Sequence, residues 1–137
     1  MRAFVAGTPV PQGSKRYLGR GIMADDSKYL KAWRADIRAA CLDSEGRPQQ
    51  RFDGAVSLIL EFIMPRPASA PKKRTPHATK RPDIDKLMRA VCDAITSAHV
   101  WKDDSQVVWA SISKRIAGLD EVPGCMIVVT EYVEGEG

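Results

Sequence analysis

Cysteine is scarce in this chain, and long apolar runs are absent. The 137 residues include only Cys41, Cys92 and Cys125, which are far apart and form no CxxC pair. This spacing argues against a disulfide framework or a zinc site, and it fits buried free thiols in a reducing cytosol. No apolar stretch reaches the roughly eighteen residues of a transmembrane helix, so none is predicted. The apolar start is too short for a secretory signal.

Acidic residues are missing from residues 65–82, PRPASAPKKRTPHATKRP, which contain five prolines and six Lys or Arg residues. Proline fixes φ and removes a backbone donor, so neither a helix nor a central strand can run through this segment. We predict a long, mobile basic loop there. A loop of this length in a small domain is usually functional or disordered, although a solvated linker without a function is the alternative.

Charge is also unevenly distributed, although the net charge is only +4. Residues 1–102 contain 19 Lys and Arg against 10 Asp and Glu, whereas residues 103–137 contain 2 against 7. A basic excess of this kind predicts a polyanionic partner. The candidate contacts to the phosphates of such a polyanion are Lys15, Arg16, Lys72, Lys73, Arg74, Lys80 and Arg81.

Hydrophobic periodicity predicts a single small α+β domain over residues 1–137, in which a mixed sheet of about four strands packs against two main helices. Its limited core would gain from dimerisation. The proline-containing segment that ends at Lys15 and Arg16 is expected to be a loop, and residues 134–137 a frayed tail. The predicted strands cover residues 2–7, 55–64, 105–115 and 124–133, and the predicted helices cover residues 28–42 and 83–98.

Two acidic pairs flank the second predicted helix. Asp83 and Asp85 mark its start, and Asp103 and Asp104 follow its end. A helix of about 15 residues is about 22 Å long, so Asp104 can meet the first pair only if the next strand runs back along the helix, or if a second subunit supplies its own copy. Carboxylates that meet there would form an oxygen-only site suited to Mg²⁺ or Mn²⁺.

These acids also have a purely structural explanation. Arg89 follows Asp85 by four residues and Asp93 follows Arg89 by four, so a ladder of surface ion pairs would account for them. The protein would then bind DNA without cleaving it. If a divalent ion is bound instead, it would activate water and polarise a phosphodiester, while Lys and Arg side chains would stabilise the transition state.

Residues 81–108 combine several motifs in one order: an Asp-x-Asp that opens a helix, an Asp-Ala later in that helix, an aromatic residue, an acidic pair and a Gln-Val. The positions are Asp83-Ile84-Asp85, Asp93-Ala94, Trp101, Asp103-Asp104 and Gln106-Val107. In this combination the segment resembles the RusA family of Holliday junction resolvases, small endodeoxyribonucleases often carried by phages and prophages. The front segments GTPVPQGSKR and SKYLKAWR are similar to the phage branch of that family.

The resemblance implies a homodimeric, Mg²⁺-dependent enzyme, with Mn²⁺ as a substitute ion, that nicks two opposed strands of a four-way DNA junction in recombination and repair. It further implies a phage or prophage gene and a bacterial cytoplasm. By the same resemblance, Asp83, Asp85 and Asp104 would bind the metal, with Asp103 as a neighbouring ligand.

Two candidate catalytic residues depart from the family pattern. Lys86 stands where Asn is usual, and Arg89 stands where a catalytic Lys is usual. Arg89 can stabilise phosphate charge but is not expected to lose a proton, and Lys86 could substitute in part. Three alternatives stay open: a metal-dependent nuclease for forks, flaps or packaging intermediates, a non-catalytic DNA-binding protein, and an antitoxin-like or structural phage protein.

Overall fold

A computed structural model of the chain describes residues 1–13, 15–17, 23–25 and 27–134, with the backbone alone for residues 15–17, 23–25 and 27. A short 3-10 helix over Asp104–Gln106 precedes the fifth strand. In this described part no helix is long and apolar enough to cross a membrane. The elements in chain order are β1 (Arg2–Ala6), β2 (Lys15–Tyr17), β3 (Met23–Asp25), α1 (Ser27–Ala40), β4 (Val56–Met64), α2 (Ile84–Ser97), β5 (Val107–Ile116) and β6 (Gly124–Glu131).

Four of the strands form one mixed sheet in the order β1-β6-β4-β5. The β1–β6 and β6–β4 pairs are antiparallel, whereas β4 and β5 are parallel. A parallel pair needs a long crossover connection, and here residues 65–106, which include the basic segment and α2, supply it. The predicted α+β domain with a four-stranded mixed sheet and two main helices is therefore confirmed.

The core lies between one face of this sheet and the two helices. Alternate residues of β4, namely Val56, Leu58, Leu60 and Phe62, are buried, as expected for a strand with one covered face. Each such side chain stabilises the fold by roughly 1.5–3 kcal/mol when it is fully buried. The helices bury the predicted apolar stripes against it, which contain Trp33, Ile37, Cys41, Leu87, Val91, Ile95 and Ala98.

The other face of the sheet is partly open in the described part of the chain: it holds the buried Ser57 and Ile63 but also exposed apolar side chains. Ile59 of β4 pairs with Val128 of β6, and Phe4 of β1 pairs with Met126. Phe4, on the edge strand β1, and Ile59, on the central strand β4, are 44% and 42% exposed, which leaves an open apolar face.

One local prediction was wrong. The segment that reaches Lys15 and Arg16 was expected to be a loop, but Lys15–Tyr17 pairs antiparallel with Met23–Asp25 in a small separate sheet. The side chains of Lys15 and Arg16 lie outside what the structure describes, so their contact to DNA stays a prediction. The predicted frayed tail also lies largely outside the described residues, which end at Glu134.

Candidate active site

Asp83 is the N-cap residue of α2, with extended backbone angles (φ −70°, ψ 141°). An N-cap carboxylate normally accepts a hydrogen bond from the first turn of its helix, but the Asp83 side chain makes no such bond. It lies 3.7 Å from Lys86 Nζ, and 56% of the side chain is exposed. Exposed ion pairs contribute little, so the Asp83 carboxylate stays available to another cation.

The ion-pair ladder that would have explained the helix acids is not formed. Within the described residues, no ion pair of 4.0 Å or less joins Arg89 to Asp85 or to Asp93. Asp85 and Arg89 are both exposed. The start of α2 therefore presents two carboxylates and one guanidinium that are not neutralised by each other.

The second acidic pair is held by an elaborate turn. Asp103 caps the 3-10 helix, and its Oδ1 accepts weakly from Ser105 N at 3.5 Å. The Gln106 side-chain oxygen accepts from Lys102 N at 2.8 Å and from Asp103 N at 3.2 Å. Its Nε2 donates to the carbonyls of residues 52 and 54, both at 2.9 Å. Only an amide can donate and accept in this way, which explains Gln at this position of the motif.

The two carboxylates of this turn influence each other. Partial burial, a hydrogen bond with Asp103 and the negative charges of Asp103 and Asp93 raise the pKa of Asp104. The hydrogen bond with Asp104 lowers the pKa of Asp103. Asp104 also lines a cavity of about 310 Å³ together with Met88 and Cys92 of α2. A cation at this place would relieve the repulsion that Asp104 experiences.

The fold brings the acidic pairs to the same side of α2. Strand β5 runs back along the helix. The contact that shows this is made by Lys114, near the end of β5, whose Nζ donates to the carbonyls of Lys80 and Pro82, just before α2, at 2.9 and 2.8 Å. Asp85 shares a helix face with Met88 and Cys92, which lie about 4.5 and 10.5 Å further along the axis and line the same cavity as Asp104.

Carboxylate oxygens are the ligands that Mg²⁺ prefers, so the chemistry and charge of these acids fit such an ion. Their positions are looser: among the described residues, no three His, Cys, Asp or Glu side chains lie close enough together to hold a metal. A metal site made of Asp83, Asp85, Asp103 and Asp104 therefore stays a prediction.

The loop after β1 forms a wall of the site that the sequence did not reveal. Gln12 N donates to Lys86 O at 3.0 Å. Gly13 has φ +82°, a backbone conformation that favours glycine, and it lies next to Arg89, whose Nη1 would be 3.5 Å from a Cβ at this position. Among the described residues, the buried side-chain oxygen of Gln12 has no hydrogen-bond donor, so it is a spare acceptor in this loop.

The basic segment, residues 65–82, contains no helix or strand, as predicted, and its mobility stays untested. Within the described chain, none of its five candidate DNA contacts is in an ion pair. The sixth cation, Arg66, donates to carbonyls of the segment and of the residue after β5. The sequence did not point to Arg66 or to Lys114, because both bind backbone carbonyls, which every residue has and which form no sequence pattern. The five exposed candidates are Lys72, Lys73, Arg74, Lys80 and Arg81.

Comparison with known proteins adds independent information. The family model described as Endodeoxyribonuclease RusA matches residues 6–130. An uncharacterised protein of Bacillus subtilis (strain 168), YqaN, is 35% identical over 124 residues, which cover 80% of this chain and 83% of that protein. The crossover junction endodeoxyribonuclease rusA of Lactococcus phage r1t is 31% identical over 70 residues, or 51% of this chain and 53% of the phage protein.

Proposed function

The chain belongs to the RusA family of endodeoxyribonucleases, and on that premise we propose that it resolves four-way DNA junctions by paired, symmetric nicks. The observation that carries the proposal is the pair of exposed carboxylates at the start of α2, where Lys86 lies 3.7 Å from Asp83 and no described acid forms an ion pair with Arg89. The name of the phage relative supports junctions as the substrate and a phage or prophage origin. Recombination and repair of DNA in the cytoplasm of a bacterial host are the corresponding roles.

In this proposal Asp83, Asp85 and Asp104 hold Mg²⁺, with Asp103 beside them. Bound Mg²⁺ supplies a polarised phosphoryl oxygen and a water of lowered pKa. The remaining work falls to side chains of the chain itself. Arg89 is exposed, and its planar guanidinium stabilises negative charge that develops on the phosphate.

Lys86 and the basic segment have a different part in the proposal. Lys86 is 38% exposed and lies 3.7 Å from Asp83, so its ammonium can stay near that carboxylate or turn to a phosphate oxygen. The exposed cations of residues 72–74 and 80–81 neutralise the phosphates of the DNA arms. Acidic residues thus serve the metal, and basic residues serve the substrate.

A homodimer fits this activity, because a four-way junction has two-fold character and two symmetric cuts need two sites. The open apolar face of the sheet, with Phe4 and Ile59, supports a second copy as its cover. Ile59→Glu should shift sedimentation from dimer to monomer and abolish paired nicks, whereas Val133→Glu, at another exposed position, should not. A wild-type protein that sediments as a fully active monomer would contradict the dimer.

The deciding experiment is cleavage of an end-labelled synthetic four-way junction, with linear duplex as a control, in Mg²⁺ and in EDTA. The wild type is compared with Asp83→Asn at matched binding saturation. Asp36→Asn, an exposed change on α1, is the matched control. We expect paired nicks that disappear in EDTA and in Asp83→Asn while binding survives. Cleavage by Asp83→Asn at the wild-type rate would refute the role of this carboxylate, and faster cleavage of a fork would favour another branched substrate.

A non-catalytic junction-binding protein is the second candidate. It is favoured by the separation of the carboxylates in the described structure and by Arg89 at the position of the usual catalytic Lys. It predicts salt-sensitive junction binding without cleavage in Mg²⁺ or Mn²⁺. The same assay distinguishes the two candidates.

A further inference from the structure

Arg66 differs from the other cations of the basic segment because its guanidinium donates hydrogen bonds to groups of the protein itself. Its Nη1 donates to Thr75 Oγ1 at 2.8 Å and to Ala117 O at 3.1 Å. Its Nη2 donates to Arg74 O at 2.8 Å and also to Pro71 O. One guanidinium therefore joins three points of the segment to each other and to the end of β5.

The segment needs such a donor because its prolines supply none. Only two backbone–backbone hydrogen bonds lie within residues 65–82, from Ala70 N to Pro67 O and from Thr79 N to His77 O. Carbonyls outnumber N–H groups in this proline-rich stretch, and the planar fork of Arg66 bonds to several of them at once. A lysine could not reproduce this, since its ammonium is a point charge without a fixed plane.

We propose that Arg66 is a positioning residue that pre-shapes the basic segment into a fixed cationic surface for the phosphates of branched DNA; this inference rests on the proposed function. By bonding to the carbonyls of Pro71 and Arg74, Arg66 fixes both ends of the exposed run Lys72, Lys73 and Arg74. The far end of the segment is fixed by Lys114. A loop that is already ordered loses less conformational freedom on binding, so affinity rises without an added contact.

The test compares two identical chemical changes nineteen residues apart. Arg66→Lys removes the planar fork from the bonded position, and Arg47→Lys makes the same change at an exposed position outside the candidate DNA contacts. Both keep the charge. Trypsin suits the first measurement, because it cuts after residues 72, 73 and 74, while Pro67 and Pro48 block cutting after residues 66 and 47 in either form.

Without DNA, we expect Arg66→Lys to speed cutting after residues 72–74 about tenfold, the effect of losing roughly one such hydrogen bond, and Arg47→Lys to leave the rate within about twofold of the wild type. In EDTA, the Kd for a four-way junction should rise about tenfold in Arg66→Lys and stay within about twofold of the wild type in Arg47→Lys. Thr75→Val, which removes one acceptor without touching Arg66, should give a smaller change in the same direction. Unchanged thermal unfolding would show that the fold is intact in all three.

Equal behaviour of the two Arg→Lys variants in both measurements would overturn the proposal. Faster proteolysis with unchanged junction affinity would overturn the role in DNA binding. Failure of the wild type to bind any branched DNA would instead refute the proposed function, and proteolysis would still decide whether Arg66 shapes the segment.

Discussion

Gln106 is the residue through which the Asp103–Asp104 turn can be loosened without touching an acid. Gln106→Leu keeps a similar volume and removes four hydrogen bonds. A net hydrogen bond stabilises by about 0.5–1.5 kcal/mol, and three of these four face solvent, so we expect a loss of about 2–3 kcal/mol in the free energy of unfolding. Gln106→Glu keeps the acceptor but loses both donors. At neutral pH its free energy of unfolding should lie between those of the wild type and Gln106→Leu.

The free energy is measured by urea unfolding, and function by junction binding in EDTA and cleavage in Mg²⁺. Because the candidate DNA contacts lie elsewhere, junction affinity in Gln106→Leu should stay within about twofold, whereas cleavage should fall at least about tenfold as Asp104 loses its orientation. Unchanged stability would mean that water replaces the four bonds. Normal cleavage despite lost stability would show that Asp104 needs no such support.

Three further outcomes are expected. Lys114→Met removes two charge-assisted hydrogen bonds to the carbonyls before Asp83. It should lower the free energy of unfolding, measured by thermal unfolding, by about 1.5–3 kcal/mol and weaken Mn²⁺ binding measured by electron paramagnetic resonance. Lys114→Arg should restore part of the stability and of the Mn²⁺ affinity, and equal Mn²⁺ binding in all forms would argue against this role. The bidentate hydrogen bond from Arg115 lowers the pKa of Glu121 from 4.5 to about 2. The difference in unfolding free energy between wild type and Glu121→Gln should therefore be full above about pH 5 and vanish as the pH falls from 4.5 towards 2. A difference that does not depend on pH would contradict this lowered pKa. Burial raises the pKa of the thiols of Cys41, Cys92 and Cys125. A thiol reagent should therefore label none of them in the native protein and all three in urea. A thiol that reacts fast in the native protein would refute the burial of that cysteine.

Most of the fold could be predicted because its elements have clear periods. Alternating apolar residues identified β4, and a stripe at helical spacing identified α2 to within two residues of its observed ends. The β2–β3 hairpin was missed because its short strands lie among glycines and charged residues without an apolar alternation. The parallel neighbours β4 and β5 could not be assigned, because the order of strands depends on packing between distant segments rather than on a local pattern.

The acids of the candidate site stand out in the sequence, whereas the residues that hold the backbone around them do not. Asp83 and Asp104 belong to a motif that a sequence displays directly. Gln12, Arg66 and Lys114 act through main-chain groups, and any of many polar residues could have done so. Their roles become visible only when the backbone positions are known.

The arrangement of charge explains why acids and bases lie side by side without cancelling. Two cations, Arg66 and Lys114, donate hydrogen bonds to backbone carbonyls and thereby fix the basic segment. Among the described residues near the start of α2, only Lys86 pairs with an acid, at 3.7 Å from Asp83. Exposed ion pairs are worth about 0–1 kcal/mol, so leaving the others unmade costs the fold little. The acids thereby stay free for a cation and the outward bases for phosphates, which is the condition that a metal-dependent nuclease has to satisfy.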